Sequence, residues 1–155
     1  MVSVKSNLLS LVVFVIGVVV CGALIGVSTA PGPWFDTLVK PTFNPPAWVF
    51  GPVWTTLYIL IGIAGWRIWQ IDRSSAAMKL WFAQMILNFG WSPLFFGAHR
   101  MDLALGVIVL MLVAIFGFIL TTWNRDRISA VLFLPYAAWV SFATVLNASL
   151  LYLNP

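Results

Sequence analysis

Apolar positions in this chain neither alternate with polar ones nor recur as a single stripe; they run on. Five stretches, residues 8–28, 47–70, 78–99, 103–122 and 128–153, are almost continuously apolar. Each is about 20 residues or longer, enough for a helix to cross roughly 30 Å of hydrocarbon. Hydrocarbon offers the backbone no hydrogen-bond partner, so such segments must satisfy their own N–H and C=O groups as helices. Barrel strands would need a polar residue at every second position, and none of the stretches has that period. The pattern therefore predicts an all-α fold: one integral membrane bundle of five transmembrane helices filling residues 1–155. Three of its breaks, at 71–77, 100–102 and 123–127, are short and imply antiparallel neighbours. The break at 29–46 is different. It carries "PGPWFDTLVKPTFNPP", too rich in Trp, Phe, Leu and Val for a disordered linker, and is predicted to be a structured cap over one end of the bundle.

Composition sharpens this reading. Hydrophobic residues make up 62% of the chain and charged residues 8%, against roughly 25% charged in soluble domains. The four acids are Asp36, Asp72, Asp102 and Asp126, and there is no Glu. The net charge of +4 comes from scattered bases that form no stripe, so no nucleic acid is expected as a partner. Bases instead report topology. With the N-terminus cytoplasmic, that side collects Lys5, Arg67, Arg73, Lys79, Arg125 and Arg127, and the other side Lys40 and Arg100; six against two favours N-terminus inside and C-terminus outside. The first segment has a rival reading, since Lys5, an apolar run and "STA" at 28–30 resemble a signal peptide. The uncharged run over 6–33 is longer than such a core, which favours a retained helix. The lone Cys21 lies in an apolar run and is read as a small packing residue; a single cysteine makes neither an internal disulfide nor a thiolate metal site. Gly22 and Gly26 have the small-xxx-small spacing of close helix contacts, either a dimer seam or internal packing.

Function classes fall away next. Every charged residue lies near a segment end, whereas pumps, ion-coupled carriers and voltage sensors use ionisable groups inside the membrane. No nucleotide-binding loop is present. The acids all sit at segment ends, so no Ser–His–Asp set can be assembled within the bundle. The one histidine, His99, is read as an interfacial residue at a helix C-terminus; nothing else supports it as an axial haem ligand, and no metal site is expected. Aromatic residues remain: nine Trp, twelve Phe and three Tyr. Trp66, Trp69, Trp81 and Trp123 lie beside helix ends and are expected as interface anchors. Others form stripes. Trp54 and Tyr58 lie one turn apart in the second helix; Gln84, Asn88, Trp91 and Phe95 share a face of the third; Tyr136, Trp139, Ala143 and Asn147 share a face of the fifth. Aromatic rings with one or two neutral amides are what bundle packing uses, and equally what a mostly apolar small-molecule pocket looks like. Pro93 and Pro135, within helices, free the carbonyls of Phe89 and Val131. Pro45–Pro46 sets the angle of the second helix, with Trp48 expected to seat the cap and Trp54 to wall a pocket.

Three motifs, "KPTFNPPAWVFGPVWTTLY" (40–58), "LNFGWSPLFFGAHRM" (87–101) and "LPYAAWVSFATVLN" (134–147), resemble in order those of the TspO/MBR family, the tryptophan-rich sensory proteins of bacteria related to the mitochondrial translocator protein. The resemblance covers the chain from about Trp34 to Asn147 and matches the first helix only in kind. It implies a five-helix bundle, usually a homodimer, with a pocket under the first loop for tetrapyrroles such as protoporphyrin IX or haem, for benzodiazepine-type compounds and, in mitochondrial members, for cholesterol. No obligatory cofactor is implied; porphyrin is a ligand. Carried over by motif, the ligand-binding residues are Phe35, Pro45, Trp54, Asn88, Trp91, Trp139 and Ala143. Trp54 and Trp139 match the tryptophans implicated in light-dependent porphyrin breakdown in some bacterial members. Three positions depart from the pattern: Phe35 stands where Tyr is frequent, Phe43 where Trp is frequent, and no base follows Tyr152 as the cholesterol consensus needs.

The reading is a membrane receptor or sensor holding a tetrapyrrole against Trp54, Trp91 and Trp139, with Asn88 as a neutral hydrogen-bonding group and the ligand's carboxylates turned to Lys40 or Arg100. The alternatives are a light-dependent porphyrin-degrading enzyme using Trp54 and Trp139, a passive tetrapyrrole or sterol transporter, and a scaffold for a partner protein.

Overall fold

The computed structural model describes residues 7–155. Lys5, one of the six bases assigned to the N-terminal side, lies outside them. The elements are α1 (Leu8–Ser28), α2 (Pro33–Thr37), α3 (Ala47–Ile71), α4 (Ala76–Ser92), a π-helical turn (Pro93–Gly97), α5 (Met101–Thr122) and α6 (Arg127–Leu153). The chain is an antiparallel bundle of five long helices, with α2 as a single turn inside the first loop. Among the described residues, α1, α3, α5 and α6 are each long and apolar enough to cross a membrane. The third apolar stretch, expected as one helix over 78–99, instead changes character at Pro93. Proline has no N–H to give to Phe89, and the helix widens by one residue per turn: the Ala98 N–H donates to the Pro93 carbonyl at 2.8 Å. Beyond it, His99 adopts φ 55°, the left-handed backbone that stops a helix.

Around the bundle the neighbours run α1, α3, α6, α5, α4, and α4 closes back weakly on α1 and α3. Helices in lipid gain little from burying carbon against carbon, so they associate through close backbone approach and interhelical hydrogen bonds. Both devices are present. A methyl group at Gly22 would overlap the Tyr58 ring, one at Gly65 the Trp81 indole, and one at Gly62 would lie 2.9 Å from the Val15 Cα. Gly22 is thus internal packing, while Gly26 faces open space. Trp66 and Trp81, expected at the membrane interface, point inward instead. Gly65 opens a slot for the Trp81 indole, whose Nε1–H donates to the Ile61 carbonyl at 3.0 Å, and Trp66 donates to Ser10 Oγ at 2.9 Å. Trp69, near the end of α3, is partly buried, and Trp123, just past α5, is exposed.

At the end carrying the 72–75 and 123–126 loops, Arg67 of α3 holds Asp126, which caps α6, through two bonds of 2.8 and 2.7 Å. Burial pushes the Asp126 carboxyl up, but hydrogen bonds from Arg67 and Ser129 and the Arg67 charge outweigh it. The carboxyl ends below its ordinary value. A depressed native pKa adds stability that is present above about pH 4 and is lost as pH falls through the native value.

Two outcomes follow from this packing. Gly65→Ala, which drives a Cβ into a hydrogen-bonded indole, lowers stability by about 1–3 kcal/mol, whereas Gly26→Ala stays within about 0.5 kcal/mol; thermal unfolding in detergent separates them. Asp126→Asn lowers the melting temperature at pH 7 and flattens its fall below about pH 4, read from melts across pH.

Candidate functional site

The sequence stripes meet at the loop-bearing end of the bundle. α3 and α6 run antiparallel there, and their rings pair in register. Phe43 lies 6.2 Å from Phe142, Phe50 lies 5.7 Å from Trp139, and Trp54 lies 6.3 Å from Tyr136, centre to centre. Trp54 and Trp139 are therefore diagonal neighbours one turn apart, and Ala143 follows Trp139 by one further turn on α6. Below them lies a buried polar chain. The Tyr58 hydroxyl donates to Asn88 Oδ1 at 3.0 Å, Asn88 Nδ2 donates to the Tyr136 oxygen at 2.7 Å, and the Tyr136 hydroxyl donates to Gln84 Oε1 at 2.8 Å. Asn88 thus already holds two tyrosines. Trp91 donates to Asn147 Oδ1 at 3.1 Å, and its ring stacks on Phe95 at 5.0 Å.

Phe35 is placed by α2. Its ring meets Phe96 at 5.4 Å and Phe95 at 6.3 Å, and so joins Trp91 through Phe95 rather than through Trp54. Six of the seven residues proposed from motifs therefore form two adjoining groups. Phe35 and Trp91 meet around Phe95 under the loop; Trp54, Asn88, Trp139 and Ala143 line the α3, α4 and α6 faces deeper in. Pro45 is partly buried in the loop just before α3. Trp48 does not seat the cap. It is 75% exposed, because the second position of α3 points away from the bundle; Phe50, two residues on, makes the inward contact with Trp139.

The loop is fastened at three places. Thr29 Oγ1 and Ser92 Oγ are 2.6 Å apart. Trp34 stacks on His99 with centroids 4.1 Å apart and planes 12° from parallel. Asn154, just past α6, grips the loop backbone twice: the Val39 N–H donates to its Oδ1 at 2.8 Å, and its Nδ2 donates to the Val39 carbonyl at 3.0 Å. Phe50 was within reach of sequence reasoning, since it precedes Trp54 by one turn. Nothing in the pattern marked Asn154, whose partner is 115 residues away.

Two features give the site its chemistry. Among the described residues, two buried side-chain polar atoms have no partner, Trp139 Nε1 and Asn44 Oδ1. Trp139 also lines a groove of about 610 Å³ between α3 and α6, with Pro52, Val53 and Thr56 facing Pro135 and Ala138. A proline on each wall, unable to donate backwards along its helix, sits where the two helices part and leaves an apolar cleft open on the flank of the bundle. Of the two bases at this end, Arg100 is paired with Asp102 at 2.8 and 2.7 Å, both side chains exposed. Lys40 lies 4.8 Å over the Phe35 ring and reaches only carbonyls, those of Asp36 at 3.4 Å and Leu38 at 3.5 Å.

Residues 11–153 match the model of the TspO/MBR family. The chain belongs to the TspO/MBR family. It is 39% identical over 136 residues to a tryptophan-rich sensory protein of Cereibacter sphaeroides, covering 86% of each chain. With protein CrtK of Rhodobacter capsulatus it shares 36% identity over 139 residues, 87% of each. With the human translocator protein it shares 35% over 119 residues, 74% of this chain and 70% of that one. Its four long apolar helices and its family make it a multi-pass membrane protein.

Asn154→Ala removes both bonds to Val39, each worth about 0.5–1.5 kcal/mol. Hydrogen exchange at the Val39 amide then speeds by about tenfold or more, while the amides at the centre of α5 are unaffected; exchange mass spectrometry reads both.

Proposed function

We infer that this TspO/MBR protein is a receptor for tetrapyrroles and related flat, hydrophobic molecules, bound between α3 and α6 beneath the first loop. The observation that carries the reading is the Trp139 indole N–H. A buried donor without a partner costs about 1–3 kcal/mol, and native proteins rarely keep one unless it serves a purpose. Here it belongs to a residue that also lines a shallow, open apolar groove between α3 and α6. The groove opens on the flank of the bundle, so a lipid-soluble molecule reaches it without crossing water.

Trp139 and Phe142 line the groove and offer ring faces and edges for stacking, each pair worth about 0.5–1.5 kcal/mol beyond burial, while Phe50 and Trp54 back the wall against Trp139 and Tyr136. Trp139 Nε1 is itself buried, and it donates to a ring nitrogen or carbonyl of the ligand once the indole turns into the groove. Phe35, Pro45 and Trp91 lie toward the loop, outside the lining of the groove, and Asn88 positions its wall through two tyrosines. A peripheral carboxylate meets Lys40, the base at this end without an acid partner among the described residues. The same two tryptophans motivate the second reading, light-dependent breakdown of bound porphyrin, because they stand one turn apart on facing helices.

Titration of detergent-solubilised protein with protoporphyrin IX, first in the dark and then under light, tests both. Saturable quenching of tryptophan fluorescence is expected, with Kd raised about fivefold in Trp139→Phe, the loss of one hydrogen bond, and unchanged in Trp48→Phe. Quenching that never saturates, or that Trp139→Phe leaves alone, means simple partition into detergent and defeats the reading. A new absorbing product that forms only under illumination, and not with Trp139→Phe, selects the enzyme over the receptor.

A further inference from the structure

The end of the bundle away from the loop carries a feature the ligand site does not use. Among the described residues it holds five bases, Arg67, Arg73, Lys79, Arg125 and Arg127, against two acids, Asp72 and Asp126; the loop end has two of each, Lys40 and Arg100 against Asp36 and Asp102. Both acids at the basic end are occupied. Asp126 is taken by Arg67 at 2.7 Å and Asp72 by Arg125 at 3.0 Å. The second of these pairs joins the 72–75 and 123–126 loops, which brings Arg73 and Arg127 to one rim. Arg73, Lys79 and Arg127 are exposed and have no acid partner among the described residues. Two of them are not free in solution, however. The Arg73 guanidinium lies 4.8 Å over the Trp69 ring and that of Arg127 lies 5.1 Å over Trp123.

Tryptophans at a helix end sit at the level of the lipid headgroups. A guanidinium laid on such a ring has one face covered and its N–H edge open, the arrangement that takes two oxygens of a phosphate side by side. Lys79, in the first turn of α4, adds a third positive charge to the same rim. We propose that Arg73, Lys79 and Arg127 form a binding rim for anionic phospholipid headgroups, so that this end of the bundle is held against the anionic leaflet. Lipid, rather than a soluble anion, is the partner because the cations are set at headgroup depth by their tryptophans and surround the bundle's edge instead of converging on one point. This proposal is independent of the ligand site, which lies at the other end.

The test uses full-length protein in vesicles and electron spin resonance of spin-labelled lipids at its surface. Spin-labelled phosphatidylglycerol should associate with the wild-type rim about fivefold more strongly than spin-labelled phosphatidylcholine, the attraction of one base for an anionic surface. That preference should shrink with added salt and fall close to one in the triple variant Arg73→Gln, Lys79→Gln, Arg127→Gln. Replacing both arginines by lysine, which keeps the charge, should retain most of it and shows that loss in the triple variant is not misfolding. Equal association of the two lipids with wild type, or a preference that survives the triple substitution, overturns the proposal. So does a preference abolished by inorganic phosphate but not by chloride at matched ionic strength, which would assign the rim to a soluble phosphate.

Discussion

A helix in hydrocarbon gains almost nothing by exchanging lipid for leucine, so what holds this bundle together must be contacts lipid cannot make. The Tyr136 hydroxyl is the centre of them. It accepts from Asn88 and donates to Gln84, and through Asn88 it reaches Tyr58, so one oxygen ties α6 to α4 and, at one remove, to α3. Each member is buried or partly buried, and loss of Tyr136 would leave the Asn88 amide N–H and the Gln84 carbonyl without these partners. Tyr58 in turn rests on Gly22, where no larger residue fits, which brings α1 onto α3. The polar chain and the glycine contacts are therefore one construction: close approach lets the hydroxyls and amides reach across, and those bonds keep the helices close.

That construction explains where a ligand site can exist. Polar atoms at the centre of the bundle are matched among themselves, and so are Trp91 and Asn147 nearer the loop. One turn above Tyr136 the matching stops. Trp139 presents an indole N–H with no acceptor, and Pro52 and Pro135 occupy opposite walls of the cleft beside it. Stability comes from the lower layer; the upper layer is left with capacity to spare. The loop that covers it is held by a stack on His99, a hydroxyl pair and the Asn154 amide, contacts of modest strength on or near the surface, which suits a cover that must admit a ligand.

Much of this was legible in the amino-acid order, because helical spacing alone decides which residues share a face. The stripes Gln84–Asn88–Trp91–Phe95 and Tyr136–Trp139–Ala143–Asn147 do face inward, and the apolar stretches become helices within a residue or two of their expected limits, except the third, which leaves α-helical geometry at Pro93. What spacing does not encode is the register between helices. The inward turn of Trp81 depends on Gly65 lying opposite it, and the pairing of Asn88 with Tyr136 depends on the α4–α6 offset. The grip of Asn154 on Val39 joins the first loop to the residues after α6, far beyond any local rule. Trp48 and Phe50 are a finer case: both are aromatic and two positions apart, and only the direction in which α3 leaves Pro46 decides that Phe50 packs and Trp48 does not.

The two ends of the molecule divide the work through their charges. At the loop end, bases and acids are equal in number, Arg100 is neutralised by Asp102, and Lys40 is folded over Phe35, so a neutral aromatic surface covers the candidate site. At the other end the acids are consumed in tying loops and caps together. Arg67 with Asp126 fixes α3 to the start of α6, and Arg125 with Asp72 joins two loops. Pairing the acids in this way has a consequence beyond stability. It leaves the remaining cations uncompensated at the one depth where the membrane offers phosphates, and the indoles of Trp69 and Trp123 hold two of them there. A bundle whose membrane-spanning middle carries no charged residue among those described can still be set firmly in its bilayer, because most of its uncompensated cations are gathered at one rim.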